Sequence, residues 1–164
     1  MDRLAGRVCD NSMLTTNIKM RVYQTCTLST LLYGNEAWTL YSRQECTLNT
    51  FLMSCLRKIL NIIQEDHVPN KDVLAQAEIP SMHTQLSQRC LHWFGHVRCM
   101  KDGRIPKDML YRELATGSKP AGRSVLHYKD VCKRDLKAGD INPANWETVA
   151  ADRNGWRLAV RAGV

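Results

Sequence analysis

Apolar residues recur along most of this chain at spacings of three and four, the signature of helices with one buried face. The fullest example runs from Ser81 to Met100. At about 100° per residue, Met82, Leu86, Cys90, Trp93, Val97 and Met100 fall on one stripe with Phe94 on its flank. Gln85, Arg89, His92, His96 and Cys99 form a polar strip beside it. A second helix is expected from Ser42, because Ser42-Arg43-Gln44-Glu45 has the form of a capping box. In that motif the hydroxyl accepts an amide of the first turn and the carboxylate reaches back to the cap. Leu48, Leu52, Cys55, Ile59 and Ile62 then repeat on one side, with Phe51 and Leu56 widening the face and Arg57-Lys58 off it. The two stripes are expected to share one core.

The remaining elements follow from breakers and caps. Residues 1–14 suggest a short helix cut off by Asp10, Asn11 and Ser12. Thr15-Thr16-Asn17 offers caps for a helix carrying Ile18, Val22, Cys26, Leu28, Leu31 and Leu32, with Gly34 as its stop. The stretch from Thr25 to Tyr33 also fits a buried strand; length favours helix. Asn70 caps a short helix through Val73, Leu74 and Ala77, after a polar break at 64–69. Lys101-Asp102-Gly103-Arg104 reads as a turn, and Pro106 suits the first position of a helix through Met109, Leu110 and Leu114. Residues 115–124 have loop composition and are expected to be the most mobile segment. Tyr128, Val131, Cys132 and Leu136 mark a helix that ends at Gly139, and Asn142-Pro143 is expected to start the last one, with Trp146, Val149 and Ala150 inside and a break at Asn154-Gly155. No stretch alternates at period two. The expected fold is mostly α, an irregular helical bundle of about six to eight helices, divided as a helical bundle at 1–114, the loop at 115–124 and a basic helical segment at 125–164.

Charge changes this picture more than composition does. A hydrophobic content of 44% over 164 residues describes an ordinary globular chain. The net charge of +7, however, is concentrated: residues 98–137 hold 11 Lys/Arg against five Asp/Glu, while 138–164 balance at three against three. Either this segment meets a polyanion or it is simply a solvated face. The candidate contacts are Arg98, Lys101, Arg104 and Lys107 after the central helix, Lys119 and Arg123 in the loop, and Lys129, Lys133, Arg134 and Lys137 along the next helix. Together they could line one groove wall, with His92, Trp93 and Tyr128 near enough to stack on bases. Contacts to phosphate carry no base information, so such binding would be independent of sequence.

The seven cysteines are odd in number and include no CxxC pair, and several occupy apolar helical positions. That usage points to a reducing compartment, intracellular and either nuclear or cytoplasmic. The N-terminus has no apolar signal region and no apolar run approaches a bilayer's span, so no membrane partner is expected. His92, His96 and Cys99 could present three ligands from one helix. Without the Glu of the hydrolytic zinc motif or a second ligand pair, a surface or core histidine is the default, and no metal or cofactor is expected. Phosphate-binding glycine loops and nucleophile elbows are absent, which makes the chain a poor candidate for an independent enzyme.

Three ordered stretches together resemble a family. Lys19 to Tyr23 with Leu31-Leu32-Tyr33-Gly34-Asn35-Glu36-Ala37-Trp38-Thr39-Leu40 is similar to the segment that follows the polymerase palm in LINE-type (non-LTR) retrotransposon reverse transcriptases. Gln88 to Met100, with Trp93-Phe94-Gly95-His96-Val97 at its centre, resembles a second segment of the same proteins. Tyr128-Lys129-Asp130, Trp146 and Asp152-Arg153-Asn154-Gly155-Trp156-Arg157 resemble their final helices. The resemblance implies a thumb-like and C-terminal region of an RNA-directed DNA polymerase that holds an RNA or DNA template and primer beside a palm domain. The palm's metal-binding aspartates would lie upstream; here Tyr33 is followed by Gly-Asn-Glu, with no Asp-Asp pair. Polymerisation by this chain alone is therefore not expected, and Met1 would open a truncated reading frame. His92 stands where the family pattern has Arg, and Cys99 where it has Arg or Lys, and both thin the basic face. A helical protein-interaction module and a transposon remnant without function are the alternatives.

Overall fold

The computed structural model describes residues 11–115 and 128–163, with backbone alone at 64, 113–115 and 129. Among the described residues helices predominate and there is no strand. In order they are α1 (Thr16–Val22), a π turn (Tyr23–Leu28), α2 (Ser29–Leu31), α3 (Ser42–Leu60), α4 (Asn70–Ala77), α5 (Met82–Arg98), α6 (Ile105–Ala115), α7 (Tyr128–Ala138), α8 (Trp146–Ala151) and α9 (Arg153–Gly163), with 3₁₀ turns at Asn35–Ala37 and Gln64–Asp66. The mostly α class follows the periodicity, and in the span from Thr25 to Tyr33 the chain is helical to Leu31 and then turns, with no strand. None of these helices is long and apolar enough to cross a membrane.

The chain forms two compact units. The first holds described residues 11–33 and 42–83; the second holds 34–41, 84–115 and 128–163. The boundary near residue 83 falls in the first turn of α5. From Cys90 onward the stripe of α5 clusters with buried residues of α6 to α9. The expected helix at 1–14 and loop at 115–124 fall mostly outside the described residues, and Asn11 to Leu14 form a turn.

In the first unit α3 packs against both α1 and α4. Met20, Tyr23, Leu28 and Leu32 are buried from the first helical run, Leu52, Met53, Leu56 and Ile59 from α3, and Val73 and Ala77 from α4. The first run departs from its simple period. Ile18 is 46% exposed and Cys26 lies outside, while Tyr23 and Leu28, five residues apart, both point inward. A π turn supplies that spacing, because its i→i+5 bonding adds a residue to one turn. The hydroxyls of Thr25 and Ser29 donate to the carbonyls of Arg21 and Thr25, back-bonding of the kind that loosens helices. The run then closes at Gly34, whose φ of +70° is left-handed. In α3 the buried face centres on Leu56, assigned to the flank by the sequence, and Leu48 and Cys55 are half-buried. Arg57 turns back to donate to the carbonyl of Val68 at 2.7 Å and to Asn70 Oδ1 at 2.9 Å, which pins the polar break to α3.

The second unit is built around α5. Cys90, Leu91, Phe94 and Val97 join Leu110, Cys132, Leu136, Ile141, Trp146, Ala150, Trp156 and Val160 in one core. Phe94, not Trp93, sits at its centre; Trp93 is half-buried. The Phe94 and Trp146 rings lie 3.9 Å apart between centroids, tilted by 30°. Trp156 crosses α5 at Gly95, where a β-carbon would come within 2.2 Å of its Nε1. That nitrogen donates to the carbonyl of Leu91 at 3.0 Å. The last helices also begin differently from expectation. Asn142-Pro143 forms a side-chain-closed turn, Asn142 Oδ1 accepting the Ala144 amide, and α8 starts only at Trp146. The break before α9 is at Asp152 rather than Asn154-Gly155: its carboxylate accepts the amides of Asn154 and Gly155, at 3.0 and 3.1 Å.

Candidate nucleic-acid interface

The basic positions singled out by the sequence divide into three groups. Lys101 and Arg104, in the turn between α5 and α6, are exposed, as are Lys133 and Lys137 one turn apart on α7. The helix that follows this turn, α6, packs against α7. The second group is occupied within the fold. Lys107 extends back to the C-terminal end of α5, donating to the carbonyl of Met100 at 2.9 Å and to Asp102 at 2.6 Å, with its side chain only 12% exposed. A lysine there satisfies a helix-end carbonyl. Its hydrogen bond, and then its charge, hold the Asp102 carboxyl below the usual range. Arg98 lies 3.5 Å from Glu147 and ties the end of α5 to α8. Arg134 is exposed but sits 3.3 Å from the buried carboxylate of Asp135. The third group, Lys119, Arg123 and the Lys129 side chain, lies outside the described residues.

The aromatic candidates also separate. Tyr128 is half-buried and its hydroxyl donates to the carbonyl of Glu36 at 2.9 Å while Cys90 Sγ donates to it, so the ring is not a free stacking platform. Burial, with the Cys90 and Cys132 thiols beside it, pushes the phenol well above its usual range. The hydrogen bond with Cys90, 3.8 Å between sulfurs, and burial raise the Cys132 thiol likewise, as befits two inert core thiols. Trp93 is half-buried against the core, its ring 5.4 Å from that of His96.

A cationic cleft went unread in the sequence. Where α9 crosses α5, His92, Gly95, His96, Arg153, Trp156 and Arg157 line a cleft of about 260 Å³. Three arginines at i, i+4 and i+8, Arg153, Arg157 and Arg161, would have signalled it; the charge balance over 138–164 conceals them. Partial burial, then the charges of Arg157 and Arg161, hold the His92 imidazole below its ordinary value. His92, His96 and Cys99 thus share a cleft, but Cys99 Sγ donates to the carbonyl of Ala150 and the neighbouring charges are positive. Among the described residues no group of His, Cys, Asp or Glu is arranged to hold a metal ion.

Comparison with known proteins gives one informative similarity. The chain is 24% identical over 160 residues to a Caenorhabditis elegans protein described as transposon-derived and uncharacterized. The match covers 92% of this chain and 57% of that protein, so the chain spans little more than half of the relative's length. No family profile matches, and no solved structure matches.

Proposed function

We propose that this chain is the non-catalytic C-terminal part of a retrotransposon reverse transcriptase, holding template and primer through their phosphates and without sequence specificity. The observation that carries the reading is the exposure of Lys101, Arg104, Lys133 and Lys137, within the stretch that holds nearly all the excess positive charge. Lysine and arginine side chains left in solvent can exchange counterions for backbone phosphates at little cost. The similarity to a transposon-derived protein supports the same origin. Polymerisation would require a palm domain as partner, since this chain offers no aspartate pair for two catalytic metals.

Replacing Lys133 and Lys137 together by Glu should weaken binding of a labelled primer–template at low salt by about tenfold or more, with helical dichroism unchanged. The same reversal at Arg21 and Lys71, equally exposed in the first unit, should do much less. Equal losses from the two pairs would mean attraction by net charge alone, and the assigned surface would be wrong.

A second reading, a helical protein-interaction module, draws on Ile105 and Met109. They stand one turn apart on α6 and are 73% and 65% exposed. It predicts no salt-dependent affinity for nucleic acid and self-association relieved by Met109→Lys.

A further inference from the structure

The cleft between α5 and α9 has a construction of its own. On α5, His92 and His96 stand three residues before and one residue after Gly95; on α9, Arg153 and Arg157 hold the same offsets from Trp156. The indole of Trp156 lies where a side chain at 95 would be, so the two helices approach closely and the four polar groups converge at the seam. The backbone that carries the two arginines is anchored on α5 by a buried aromatic.

The charge around this seam is one-sided. Neither α5 nor α9 contains a single Asp or Glu. Among the residues that flank them, the Asp152 carboxylate accepts two amides of its own cap, and Glu147 faces Arg98 and Tyr111. Arg153, Arg157 and Arg161 are exposed, and no ion pair with a described residue engages them. At about 260 Å³ the space falls just below the range of about 300–1,000 Å³ typical of small-molecule pockets. It suits a compact anion better than a whole nucleotide. Guanidinium groups present paired donors that match phosphate oxygens, and each imidazole adds one N–H.

We propose that His92, His96, Arg153 and Arg157 form a phosphate-binding site, whose ligand is a backbone phosphate of a nucleic-acid strand. The site rests on its own geometry; the source of its phosphate rests on the function proposed above. An anion in the cleft would offset the arginine charges that disfavour imidazolium, so binding should raise the pKa of His92 and tighten as pH falls through it. Burial, then the charges of Arg157 and Arg161 on α9, lower the His92 pKa, and Arg153 on α9 and His96 on α5 line the same cleft.

The test follows the imidazole resonances of the full chain, labelled with ¹⁵N at histidine, at constant ionic strength. One titration uses inorganic phosphate, the other a short oligothymidylate without terminal phosphates, and sodium chloride is the control. Saturable shifts of His92 and His96 with the oligonucleotide, but not of His67 and His83 in the first unit, are expected. Arg153→Gln with Arg157→Gln should weaken them about tenfold or more, without altering tryptophan emission. Shifts with inorganic phosphate alone would keep the site and remove the nucleic-acid source. If neither ligand moves His92 or His96, the site is wrong, even where anisotropy shows that the oligonucleotide still binds elsewhere.

Discussion

Trp156→Ala should lower the stability of the second unit by about 3–5 kcal/mol, the range for removing a large buried aromatic. The side chain is 3% exposed and touches a core drawn from five helices, α5 to α9. Its removal would also leave a groove along Gly95 that no other side chain fills. Trp156→Phe should recover most of that loss. The hydrogen bond to Leu91 then remains missing, at a cost of about 0.5–1.5 kcal/mol. Gly95→Ala attacks the same seam from the other side, since the new methyl would displace the indole. Urea unfolding followed by tryptophan emission reads this unit selectively, because Trp38, Trp93, Trp146 and Trp156 all belong to it. A loss under about 1 kcal/mol for Trp156→Ala would show that α9 does not dock as described.

Phe94→Ala is the second large effect, also about 3–5 kcal/mol. Phe94 is 2% exposed and stacks on Trp146, so truncation removes a ring pair as well as buried area. Trp93→Ala should cost clearly less, because that ring is only half-buried. The order of the two variants in the same urea experiment distinguishes the observed core from the stripe that periodicity favoured. A costlier Trp93→Ala would restore the sequence-based face.

That reversal shows what the sequence could and could not carry. Helices were legible wherever apolar residues recurred over several turns, and α3, α5 and α7 lie within two or three residues of their expected bounds. The direction of each buried face was less legible. Trp93 and Phe94 are one residue apart, so a stripe drawn through either fits the period of α5; the choice between them is made by Gly95, whose missing side chain admits Trp156 from sixty residues away. Likewise a constant period cannot anticipate the π turn that brings Tyr23 inward together with Leu28 and leaves Cys26 outside. Positive charge was legible as a count but not as availability. Lys107 was counted with the others and turns out to cap a helix, Arg98 meets Glu147, and the arginines of α9 were hidden in a segment of no net charge.

The most direct measurement of the central claim is the salt dependence of binding between the whole chain and a primer–template duplex. With Lys101, Arg104, Lys133 and Lys137 meeting phosphates, the logarithm of the binding constant should fall against the logarithm of salt concentration with a slope of about −3 or steeper. A duplex of the same length and scrambled sequence should give the same affinity and slope, because phosphate contacts do not read bases. Absence of binding at low salt, a flat slope, or a marked preference for one sequence would contradict a phosphate-holding role.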